Sequence, residues 1–70
     1  MDKDTKELFL KISDKYKLAI GDENYTDAFS IVYKGIESAL ENGNKELASS
    51  LVSLIKAIYV ILADKCGVDK

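Results

Sequence analysis

Apolar residues recur along this chain at helical spacing three times, and no strand-like alternation competes with them. The first run, Leu8, Phe9, Ile12, Tyr16, Ala19 and Ile20, marks one face of a helix over residues 5–20. The second, Tyr25, Ala28, Phe29, Val32, Ile36, Ala39 and Leu40, predicts a helix over residues 25–42. The third and longest, LASSLVSLIKAIYVILA from Leu47 to Ala63, belongs to a helix over residues 45–66. Polar links of a few residues join the three, so neighbouring helices should run antiparallel. The expected fold is all-α, one up-down-up three-helix bundle spanning residues 1–70.

The third helix is too apolar for its place. With Ile55 at the centre of a buried face, Ala48, Leu51, Val52, Ile58, Tyr59, Leu62 and Cys66 fall within about 60° of it at 100° per residue. The far side begins as solvent chemistry, with Ser49, Ser50, Ser53 and Lys56. It continues with Ala57, Val60 and Ile61, and Leu54 at the shoulder. A helix apolar on every side is either covered all round or touches something outside its own fold. Two companion helices cannot easily cover it all round. Leu54, Ala57, Val60 and Ile61 are therefore the candidate interface to a protein partner or to a second copy of the chain.

Local signals place the ends. Asp4 and Glu7 have capping-box spacing, which would start the first helix at Thr5. Gly21 and Gly43 suit the left-handed residue that closes a helix, and Asn24 and Asn44 suit the caps that follow. Gly67 should end the third helix, with Val68 folding back and Cys66 buried as a small hydrophobe. Gly35 is costly in mid-helix, so another helix is expected to approach closely there.

Composition removes many functions. The chain has no His and a single Cys, which excludes histidine-based nucleophile systems, internal disulfides and the usual zinc sites. One unpaired cysteine and the absence of an apolar leader after Met1 point to a reducing, cytoplasmic setting. All ten basic residues are Lys. Without Arg for bidentate contacts, nucleic-acid reading is not expected. Residues 1–20 carry five Lys against four acids, residues 21–46 two against six, and residues 47–70 three against two. The middle segment is thus acidic and would repel nucleic acid and anionic lipid. A membrane span is not expected, because Ser53 and Lys56 interrupt a stretch that should be about 20 apolar residues long.

No catalytic residue, metal site or cofactor is expected. Glu37 and Glu41 share the solvated side of the second helix and read as an exposed pair. Asp22-Glu23-Asn24-Tyr25-Thr26 begins like a calcium loop but has Asp27 and Tyr33 where such a loop needs Gly and Glu. Lys11, Lys15, Tyr16 and Lys17 form a basic-aromatic cluster broken by Asp14.

The succession KELFLKI, a helix ending IESALENGN, and then LVSLI resembles the immunity proteins that protect producers of pediocin-like bacteriocins. The likeness covers residues 5–62, and the family's fourth helix and specificity-determining tail have no counterpart in the 70 residues. It implies a cytoplasmic antiparallel bundle that guards a membrane transporter target. Tyr25, Ala28, Phe29, Val32, Gly35 and Ile36 are also similar to the second helix of a tetratricopeptide unit or of a microtubule-interacting-and-trafficking domain.

The expected function is non-enzymatic: an immunity, inhibitor or adaptor type of protein that docks through the outer face of its third helix. The alternative is an oligomer that captures a small ligand such as a nucleotide. There Tyr16, Tyr25, Tyr33 and Tyr59 would line a crevice between chains, with Lys11 or Lys15 on the phosphate.

Overall fold

A computed structural model describes residues 2–65, and the expectations for Cys66, Gly67 and Val68 lie outside them. Three helices account for nearly all of that span: α1 (Lys3–Gly21), α2 (Tyr25–Glu41) and α3 (Lys45–Lys65). They pack on one another as the expected up-down-up bundle, with the smallest contact between α1 and α3. The fully enclosed centre is Ala28, Val32, Leu51 and Ile58, which belong to α2 and α3. Alanines at 19, 28, 39 and 48 are all buried, and small side chains at these positions let helix axes approach.

Both links are built the same way. In Asp22-Glu23-Asn24, the Asn24 amide donates to the Ala19 carbonyl at 2.8 Å and the Glu23 amide to the Ile20 carbonyl at 3.0 Å. In Asn42-Gly43-Asn44, the Asn44 amide donates to the Ala39 carbonyl at 2.7 Å and the Gly43 amide to the Leu40 carbonyl at 3.1 Å. These are paired Schellman closures, and each needs one left-handed residue. Gly43 supplies it at φ 71° and Glu23 at φ 60°. The expectation that Gly21 fills this role is corrected: Gly21 ends α1, and the left-handed turn falls two residues later on a residue with a Cβ. Each link then ends in an Asn cap. Asn24 Oδ1 accepts from the Asp27 amide at 3.2 Å, and Asn44 Oδ1 from the Leu47 amide at 3.1 Å.

The start of α1 also differs from expectation. Asp2, not Asp4, is the cap, and its Oδ1 accepts from the Thr5 amide at 2.8 Å. The hydrogen bond holds the Asp2 carboxyl below its ordinary pKa of 3.8. Capping from Asp2 winds Thr5 into the first turn, where it is buried and Asn44 Nδ2 donates to its Oγ1 at 3.0 Å.

Gly35 meets the close approach expected of it. A Cβ at this position would stand 2.8 Å from Ile12 Cδ1 and 3.0 Å from Leu51 Cδ1, so both α1 and α3 press on it.

The inward faces of α2 and α3 require correction. Phe29 and Leu40 were expected inside but are exposed, while Val52 and Tyr59 stand out from α3. The centre of the buried stripe on α3 lies at Leu51 and Ile58, about 40–60° away from Ile55. Leu47 is buried on that side and Leu54 packs against the core. Periodicity finds an apolar stripe but cannot tell which edge of a wide one turns inward, because both edges satisfy the same spacing.

Candidate docking surface

The four residues proposed from sequence do not share one environment. Leu54 is partly buried against the core and Ile61 is half-buried. Ala57 is exposed and Val60 is 69% exposed. The shoulder of the outer face is thus partly drawn into the fold, and its crest is left in solvent.

A larger apolar surface lies where α2 and α3 run side by side. On α2 it is formed by Phe29, Tyr33, Ile36 and Leu40, and on α3 by Val52, Ile55, Tyr59 and Leu62. The steps are 4-3-4 on one helix and 3-4-3 on the other, the spacing of knobs in helix–helix seams. Phe29 and Tyr33 stack with ring centroids 6.0 Å apart and planes 12° from parallel. Tyr59 stands 62% exposed opposite them. Sequence reasoning missed this surface because it placed most of these residues inside. The signal available was the doubled heptad spacing itself.

At one end the surface deepens into an open crevice of about 470 Å³, lined chiefly by Tyr25, Phe29, Ile58, Tyr59 and Leu62. Lys65 lies beside two of its lining residues. Its Nζ lies 3.5 Å from Glu23 Oε2 and 5.9 Å from the centroid of the Tyr25 ring. The Glu23 charge raises the Lys65 pKa above its usual value, and Tyr25 adds to the effect. The pair is solvent-exposed, so its contribution to stability is small.

The aromatic and basic residues considered for ligand capture are dispersed within the chain. Tyr25 and Tyr59 line the crevice, whereas Tyr16 is buried in the core, where desolvation raises its pKa. Lys11 borders a separate shallow groove with Asp4, Glu7 and Leu8, and Lys15 another with Leu18 and Asp27. Glu37 and Glu41 are both exposed on α2. Among the described residues no group of three or more His, Cys, Asp or Glu side chains is placed to hold a metal ion.

The length argument against a membrane span is also corrected. α3 has 21 residues, about 31 Å at 1.5 Å per residue, with a mean hydropathy of 1.7 in an 18-residue window. By length and composition it is sufficient to cross a bilayer, a test that core helices of soluble proteins also pass. Only 22% of that window is buried by the rest of the chain, so α1 and α2 leave most of the helix uncovered.

No family model matches this chain, and neither a curated protein nor a solved structure shows significant similarity to it.

Proposed function

We propose that this chain is a non-enzymatic helical interaction protein of the cytoplasm. It docks a protein through apolar side chains that its own bundle leaves uncovered on α3. The observation that carries this reading is the exposure of Tyr59 and Val60, 62% and 69%, on two adjoining faces of the most apolar helix. Large contiguous apolar exposure is uncommon on solitary soluble domains and marks surfaces that meet a partner. The acidic middle of the chain and the all-lysine set of cations disfavour nucleic acid as that partner. An immunity, inhibitor or adaptor role suits a small helical module whose most developed feature, among the described residues, is such a surface.

The test compares wild type with Val60→Lys and Tyr59→Glu in the native host. Both positions are exposed, so the variants are expected to keep their helicity and melting temperature in isolation. Loss of the protein's cellular effect with folding intact supports docking. Full retention of that effect by both variants contradicts it.

A further inference from the structure

We infer that the crevice between α2 and α3 is a binding site for a small alkylated ammonium cation, whose place Lys65 fills in the free chain. The site adds a ligand to the molecule and does not depend on protein docking along α3.

The lining supplies what such a cation needs. Tyr25, Phe29 and Tyr59 give three aromatic rings to a volume of about 470 Å³, within the size range of small-molecule sites. The faces of aromatic rings carry partial negative charge and attract cations, quaternary ammonium groups above all. Glu23 is the one charged side chain among the described lining residues. The α2 N-terminus beside it is weakly positive, and Asp27 in the first turn offsets that. An anion such as a phosphate would face the Glu23 carboxylate, so the chemistry favours the opposite charge.

The chain's own ammonium already shows this preference. Lys65 Nζ lies 3.5 Å from Glu23 Oε2 and 5.9 Å from the Tyr25 ring centroid, so one cation meets both carboxylate and ring. Lysine is a poor occupant. Its three N–H donors hold water strongly, and its side chain remains 46% exposed. An alkylated ammonium has no N–H shell of that kind to keep, and its methyl groups pack on apolar rings. It can therefore displace Lys65.

The backbone gives a second indication. The two links share one closure, with Gly43 in the left-handed position of one and Glu23, at φ 60°, in that of the other. Glycine is the ordinary residue there. Residues with a Cβ that are held in this conformation against its steric cost cluster at active sites and ligand clamps. Glu23 lines the crevice.

Titration with choline, followed by aromatic NMR, tests the inference. Ring resonances of Tyr25, Phe29 and Tyr59 should shift saturably, with a dissociation constant of about 1–10 mM for so small a ligand in an open site. The neutral analogue in which carbon replaces the quaternary nitrogen should bind at least about fivefold more weakly. Lys65→Met should tighten choline binding about threefold, and Glu23→Gln should weaken it by a similar factor. Tyr25→Phe should bind as wild type, whereas Tyr25→Leu should lose about fivefold. Circular dichroism should be unchanged in every variant, since Glu23, Tyr25 and Lys65 all lie outside the buried core.

Equal binding of choline and its neutral analogue overturns the inference, because the crevice then takes apolar groups without regard to charge. The absence of saturable shifts overturns it too, as does a Lys65→Met chain that binds no more tightly or a Tyr25→Leu chain that binds as wild type. A trimethyllysine peptide that binds more than about tenfold tighter than choline overturns the assignment to a small molecule.

Discussion

Asn44 Nδ2 donates to Thr5 Oγ1 at 3.0 Å, joining the link between α2 and α3 to the first turn of α1 across 39 positions of sequence. Thr5 is buried, and Asn44 also caps α3 by accepting from the Leu47 amide. One side chain thus ties the start of α3 to the start of α1 at this end of the bundle. Asn44→Ala removes a cap and leaves a buried hydroxyl without that donor, and should cost about 1–2 kcal/mol. Asn44→Asp keeps the cap acceptor but loses the donor to Thr5, so its loss should be smaller. Urea denaturation of the two variants measures the difference.

The two links provide a matched pair of opposite outcomes. Glu23 holds a left-handed conformation that side chains with a Cβ resist, and Gly43 holds the same conformation without that cost. Glu23→Gly should stabilise by about 0.5–1 kcal/mol, even after losing the exposed pair with Lys65. Gly43→Ala should destabilise by about 1 kcal/mol. Melting temperatures moving in opposite directions would confirm the shared geometry.

At Gly35 the cost of a side chain comes from its neighbours. Ile12 and Leu51 leave no space for a Cβ, and Leu51 is fully enclosed. Gly35→Val should destabilise by about 2–3 kcal/mol despite removing a helix-interior glycine. Gly35→Ala should fall much nearer wild type, because the intrinsic helical gain of about 1 kcal/mol offsets part of the crowding. Chemical denaturation of both variants measures the separation.

Stability should fall at both ends of the pH scale for different reasons. Asp2 has a lowered pKa because the Thr5 amide donates to its carboxylate. Its contribution is present above the ordinary value of 3.8 and is lost as pH falls through the lowered one. The destabilisation caused by Asp2→Ala should therefore be largest near neutrality and shrink in strong acid. Tyr16 and Lys65 have raised pKa values, from burial and from Glu23 respectively. Their contributions are complete below 10.0 and 10.5 and decay as pH rises through the raised values. Tyr16→Phe should flatten part of the alkaline limb of the stability profile, and Glu23→Gln a second part.

Much of this architecture is legible in the residues. Helical spacing gives three helices, Asn24 and Asn44 give the caps, and Gly35 gives the close approach. What escapes is rotation. Phe29, Leu40, Val52 and Tyr59 belong to wide apolar stripes whose edges are interchangeable until the neighbours are known, and the bundle turns those edges outward. The polar half of the core escapes for a related reason. Thr5 and Ser13 are absent from the apolar face expected of the first helix, yet both are buried, and Thr5 is matched to an asparagine that no local pattern links to it. Of the exposed apolar surface, the excess on α3 is legible in the sequence. Its extension onto α2 depends on which helices lie side by side, which local spacing does not encode.

The central claim is that apolar side chains left uncovered on α3 are where this protein docks. Photo-cross-linking in the native host, from a benzophenone amino acid placed at position 59 or 60, tests it most directly, with position 18 as the control. Positions 59 and 60 should each yield a cross-linked protein, while Leu18, 73% exposed on α1, should yield none. A product from position 18 alone, or from none of the three, would contradict it.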